Sequence, residues 1–277
     1  MNTSLKVDQH PFKPRVDDPA PFPESERIVY ARNPLELVIC QLRFPSVLKI
    51  SSEPPADFQD RVRKEFPLYC EVPTVSFGTS LPSEVSTVVS RMLPIPTTRA
   101  YEFSSANKEW AVTLTQESLA LTCTNYTRWE AFRARLGELL EVFVNLYQPP
   151  FFTRIGLRYR DVINRTELGL VGVSWSDLLS KELGGVFHSA IAGSIEGLAY
   201  QLVLTLQGGA AKVTIQHGLA QKGEELCYIV DSDFYVTNRT ETQNAIDILN
   251  YFNRQSGRLF RWSIADRLHR ALEPRPV

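Results

Sequence analysis

Residues 151–163 read FFTRIGLRYRDVI, and residues 35–44 read LELVICQLRF. Extended, the first places Ile155, Leu157, Tyr159 and Ile163 on one side and Arg154, Gly156, Arg158 and Arg160, with Phe152, on the other, because strand side chains alternate across a sheet. The second gathers Val38, Cys40, Leu42 and Phe44 on one face, with Leu37, Ile39, Gln41 and Arg43 opposite. Both read as strands with one well-buried side. They also share local sequence, since Leu42-Arg43-Phe44 matches Leu157-Arg158-Tyr159. Each is followed by a short amphipathic stretch, DFQDRVRKEF (57–66) in one case and SWSDLLSKEL (174–183) in the other.

Working outward from these two strands, the elements recur in the same order. After the first come apolar runs at EVSTVVSRML (84–93), RAYEF (99–103), EWAVTLT (109–115) and SLALTCTN (118–125), separated by polar turns as in an antiparallel meander. RWEAFRARLGELLEVFVNLY (128–147) then carries Trp129, Phe132, Leu136, Leu139, Leu140, Phe143 and Leu146 along one stripe, so it reads as a long helix, stopped by Pro149 and Pro150. After the second come a short helix at 174–183, strands at 199–206, 212–217 and 225–236, and a long or broken helix over 241–272. Gly208-Gly209 falls where a hairpin would close.

The expected fold is therefore α+β. It has two similar halves, 28–150 and 151–277, each an antiparallel sheet backed by a short and a long helix in the order β-α-β-β-β-α. Side by side they would make a continuous saddle or a pseudo-twofold sandwich, and an internal duplication is the simplest origin for the repeat. Residues 1–27, with prolines at 11, 14, 19, 21 and 23 among charged residues, read as a flexible arm without the apolar core of a signal peptide.

Composition limits what the chain can do. Its 277 residues are 43% hydrophobic and 22% charged, enough for a substantial core. Thirty basic residues against 31 acidic ones leave a net charge of -1, so general attraction to nucleic acid or anionic lipid is not expected. No apolar run approaches the roughly 20 residues of a membrane span. Cys40, Cys70, Cys123 and Cys227 lie far apart with no CxxC pair, as expected of free thiols in a reducing, cytoplasmic setting.

Several segments together resemble a known group: Tyr30-Ala31 followed by Pro34-Leu35-Glu36 and Gln41-Leu42-Arg43-Phe44; Trp129 with Phe132; Arg154-Ile155-Gly156-Leu157-Arg158-Tyr159; and Leu259-Phe260 with Ile264. The pattern is similar to a sporadically distributed family of prokaryotic proteins of about this length with no established function. The resemblance runs from about Tyr30 to Leu272 and is most specific at RIGLRYRDVIN (154–164). It implies no catalytic residues. Sporadic distribution is typical of accessory genes in antiviral defence, CRISPR-associated or toxin-antitoxin islands, and such a role is the expectation it carries.

Read for chemistry, the residues offer little. His10, His188, His217 and His269 are isolated, with no zinc-ligand spacing. Asp231 and Asp233 could hold a divalent cation as alternate residues of a strand, but near a strand end they read better as a turn-forming pair. GxxxxGK[ST], GxGxxG and GxSxG are absent. No catalytic residue, metal or cofactor is expected, and the chain reads as a non-enzyme.

The feature above background is arginine within strands. Arg43, Arg154, Arg158 and Arg160 share one sheet face, to which neighbouring strands would add Lys212 with Gln201, Thr205, Thr214 and Gln216. Guanidinium groups bind carboxylate and phosphate through paired hydrogen bonds, so this face suits an acidic protein segment or a phosphate backbone. The competing reading is internal pairing with Glu36, Asp161, Glu102 or Glu109. Stacking aromatics are not interleaved with these arginines beyond Phe152, which disfavours single-stranded nucleic acid. A cluster of Leu259, Phe260, Trp262 and Ile264 is a second candidate interface, with packing on the sheet as its alternative. The expected function is recognition of another protein, with nucleic-acid binding through the arginine face as the alternative; the oligomeric state is left open.

Overall fold

The computed structural model describes residues 21–75, 97–206 and 209–277. After a short β1 (Ile28–Tyr30), the chain enters β2 (Leu35–Arg43), turns through α1 (Leu48–Ser52) and α2 (Ala56–Val62), and lays down β3 (Leu68–Val75), β4 (Thr97–Ser104), β5 (Trp110–Thr115) and β6 (Ser118–Cys123). The helix α3 (Trp129–Tyr147) closes the first half. The second half repeats the plan with one strand fewer, so that only it follows the expected β-α-β-β-β-α order: β7 (Arg154–Ile163), two single-turn helices α4 (Trp175–Leu178) and α5 (Lys181–Gly184), then β8 (Ala199–Thr205), β9 (Ala211–Lys222), β10 (Glu225–Val236) and α6 (Ala245–Ser263). A short α7 (Asp266–Ala271) and β11 (Pro274–Pro276) follow, and β11 returns to pair with β1.

The nine central strands form one antiparallel sheet in the order β3-β4-β5-β6-β2-β7-β10-β9-β8. In each half the first strand pairs with the last, β2 with β6 and β7 with β10, and the two first strands pair with each other at the centre. Cys40 lies opposite Leu157 and Leu42 opposite Ile155, so the matched LRF and LRY segments exchange places about the Gln41–Gly156 pair. The continuous sheet is thus realised and the sandwich is not. Both halves place their apolar parity on the same side, and one core serves both.

That core lies between the sheet and the helices. Leu119, Leu121, Cys123, Val112 and Leu114 alternate inward from β6 and β5, and the Phe132 ring of α3 packs at a tilt against Trp110, with centroids 5.6 Å apart. The helix α3 forms because its apolar residues recur every three or four positions, and it ends at Gln148 in the left-handed conformation just before the two prolines. Trp129 Nε1 donates to Asn250 Oδ1 at 2.8 Å, tying α3 to α6 on the same side of the sheet. The opposite side of the sheet carries none of these helices. Among the described residues no helix is long and apolar enough to cross a membrane.

Several sequence expectations are corrected. The strand expected over 84–93 lies outside the described residues, and β3, not anticipated, supplies the pairing for β4. The helix over 174–183 is broken into two turns, because Ser174 and Ser180 each cap a separate start. The final helix breaks at Ile264, which is extended and leads into α7. The arm expected over 1–27 is not loose to its end: Phe22 is buried against Trp262, with ring centroids 5.6 Å apart.

Candidate functional site: an arginine–aspartate sheet face, an open edge and a buried acidic pocket

The register places the strand arginines where alternation predicts, on the sheet face away from the helices. Arg158 donates to both oxygens of Asp231 at 2.7 and 2.6 Å, and Arg154 donates to Asp233 at 2.7 Å and to Gln41 at 3.2 Å. The Arg154 guanidinium also lies 5.1 Å from the centre of the Tyr235 ring. This geometry depends on Gly156, since a Cβ there would sit 2.2 Å from the Arg154 guanidinium. Arg160 meets Glu36 at 3.5 Å, and Lys222 meets the same carboxylate at 3.0 Å.

Internal pairing is therefore the outcome for Arg154, Arg158 and Arg160, mostly with partners other than those expected. Asp231 and Asp233 are not a turn pair; β10 runs on to Val236, and both carboxylates serve as counter-ions in mid-strand. The Asp233 carboxyl is nonetheless raised above the usual range, chiefly by burial, which outweighs the lowering by Arg154. Glu102 and Glu109 accept instead from Ser104 and from Asn107 and Asn125. Arg43, opposite Arg154 in the register, and Lys212 are exposed and make no ion pair among the described residues. Phe152 does not share this face; it is fully buried.

Phe260 and Trp262 are covered by this chain itself. Tyr30 packs edge-on against Phe260 at 5.5 Å, and Phe22 covers Trp262. The cluster packs as core, beneath the start of the described chain.

Two features escaped the sequence reading. The first is the free edge of β8, AYQLVLT, which carries no charge and no proline. Hydrogen bonds Leu219 N to Leu198 O and Leu206 N to Ala211 O bracket its register and direct the backbone groups of Tyr200, Leu202 and Leu204 toward β9. Ala199, Gln201, Val203 and Thr205 consequently aim their N–H and C=O outward, where no described residue pairs with them. Val203 is 55% exposed and Tyr200 47%. The opposite edge strand, β3, carries Glu71 and Pro73, devices that discourage pairing. Uncharged alternation in 199–205 signals this, but only the sheet order makes it an edge.

The second is a cavity of about 260 Å³ on the helix side of β7 and β10, bounded by residues 25–30, Trp129 of α3 and Asn253–Phe260 of α6. Tyr159 accepts from Asn253 Nδ2 at 2.9 Å in its wall, with Tyr126 and Ser256 in reach of the same hydroxyl. Asp161 lies at its floor, 6% exposed, with no hydrogen bond or ion pair among the described residues. Burial, and then the charge of Asp231, hold the Asp161 carboxyl well above the usual range. Strand parity assigns Asp161 to the buried side with Tyr159 and Ile163, so this anomaly was legible in RIGLRYRDVI.

Nucleophilic chemistry gains nothing from the buried thiols: Cys40 is fully buried and its thiol is pushed up to about 12. Among the described residues no three His, Cys, Asp or Glu side chains cluster as metal ligands.

No family model matches the sequence, and no curated protein matches it. Among solved structures, the chain is similar at 10% identity to the di-domain ARO/CYC protein StfQ from the steffimycin biosynthetic pathway, covering 82% of this chain and 96% of that one. The TM-score is 0.16, too low to bear on fold or activity.

Proposed function

We propose that this protein is a non-enzymatic binding module that takes up an extended segment of another protein as a tenth strand along β8, in an accessory role such as defence or toxin-antitoxin systems require. The observation that supports it is the outward row of backbone donors and acceptors at Ala199, Gln201, Val203 and Thr205 on an uncharged edge. Main-chain hydrogen bonds supply affinity in such strand addition, and the alternating side chains supply selection. Lys212, cross-strand from Thr205 and free of an ion pair among the described residues, favours a partner segment with a carboxylate near that end. Nucleic-acid recognition by the arginine face has less support, because Asp231, Asp233 and Glu36 already neutralise Arg158, Arg154 and Arg160.

Val203→Pro tests the reading. It removes an outward N–H while leaving the bonds to β9 intact, a placement edge strands tolerate. Affinity capture from the native host after nuclease treatment should retain a stoichiometric partner with the wild type and lose it with Val203→Pro, at unchanged thermal stability. A partner lost to nuclease alone would move the function to nucleic acid. Wild-type dimers in light scattering that Val203→Pro converts to monomers would show the edge occupied by a second copy instead.

A further inference from the structure

Asp161 is a buried acid without a counter-ion among the described residues. A carboxyl that is 6% exposed and has no donor among the described residues lacks the compensation that buried charges ordinarily find. Its oxygens border a cavity, so the missing partner has a place to sit. Tyr30, Tyr126, Trp129 and Tyr159 line the same cavity, and aromatic rings are groups beside which a cation is favoured. A single carboxylate is a poor seat for a metal, which requires several hard ligands, and no second or third ligand converges here among the described residues. The mouth has the opposite sign. Arg128 and Arg254 line it, exposed and without ion pairs among the described residues, while Arg27 and Arg258 are engaged by Glu130 and Glu24. Among the described residues that line the cavity, Glu26 is the one further acid.

From this polarity we infer that the cavity binds a small zwitterion, its guanidinium or primary ammonium on Asp161 and its carboxylate between Arg128 and Arg254. The volume of about 260 Å³ lies below the roughly 300–1,000 Å³ of drug-sized sites and suits a molecule of amino-acid size. Charge-assisted N–H bonds to Asp161 would replace the water that the carboxylate loses on burial. The site is independent of the β8 edge, which lies at the far end of the sheet. It also gives residues 25–30 a role as its cover, so that occupancy would fasten the start of the described chain to α6.

The probes are L-arginine, agmatine, which lacks the carboxylate, and acetate, which lacks the cation. Thermal shift and calorimetric titration of the full chain at up to roughly 10 mM would detect even weak sites, since a ligand held only by the folded state raises its stability. Arginine is expected to raise the melting temperature, agmatine to bind more weakly, and acetate to do nothing. Asp161→Asn, which preserves shape and folding, should weaken arginine by about tenfold or more. Arg128→Ala with Arg254→Ala should erase the advantage of arginine over agmatine. Silence from both cationic probes with the wild type, or arginine binding undiminished in Asp161→Asn, overturns the inference. Equal binding of arginine and agmatine removes its carboxylate half.

Discussion

Two aspartates on opposite faces of the same strand pair meet different fates because of what surrounds them. Asp231 accepts both hydrogen bonds of Arg158, whereas Asp161 lines the cavity with no cationic partner among the described residues. The consequence for stability has a definite sign. The folded state raises the Asp161 pKa, so below the unfolded value both states hold the proton and the group is neutral toward folding. As pH climbs from the unfolded value toward the raised one, the unfolded chain releases its proton first and stability falls. Asp161→Asn removes that penalty. It should be close to neutral near pH 4 and stabilise the unliganded protein by about 1–2 kcal/mol at pH 7. Urea unfolding of both proteins across that range measures the difference directly; a difference that does not grow with pH would show that Asp161 is not held protonated. Asp161 was expected as a partner of the strand arginines, but alternation puts it on the other parity of its strand and no arginine pairs with it among the described residues. Arg154 and Arg158 were legible as a set, but their counter-ions lie on β10, about 75 residues along the chain.

At the level of elements, β8 pairs with β9 and with no other described strand, and one close approach governs the start of that pairing. A Cβ on Gly218 would fall 1.9 Å from the Leu198 carbonyl oxygen, which accepts from Leu219 at 2.9 Å. The obstacle is backbone, so a rotamer change cannot relieve it. Gly218→Ala should cost about 2 kcal/mol and raise amide exchange along Ala199–Thr205 before it does so in β7 or β10; uniform exchange across the sheet would contradict this. Gly156 gives a useful contrast. There the neighbour is the end of the flexible Arg154 side chain, which can swing aside, so the price of an alanine is the Asp233 ion pair rather than the strand. Helix α3 and strands β5, β6 and β10 were readable from periodicity alone. The short helix at 174–183 was not, since two serine caps, Ser174 on Ser176 N and Ser180 on Leu183 N, divide it and its apolar spacing looks continuous.

Across the whole molecule, the seam between β2 and β7 makes two sequence halves share one sheet and one core. Residues from Phe22 to Leu272 belong to a single cluster of buried apolar side chains. Cutting such a core exposes apolar surface at about 25 cal/mol per Å², so the halves are expected to unfold together. Calorimetry should show one transition, with matching calorimetric and van't Hoff enthalpies; two resolved transitions would mean that 28–150 and 151–277 are separately stable. The sequence by itself determined the α+β class, the repeated order of elements and which side of each central strand is buried. Those follow from alternation and helical period, which depend only on near neighbours. Tertiary structure alone decided that the sheet is continuous, that β8 is an edge, that Arg154, Arg158 and Arg160 are neutralised while Arg43 is not, and that Asp161 has no counter-ion among the described residues. Each of these rests on which distant strand lies alongside, and pairing between strands far apart in the chain leaves no mark on either one.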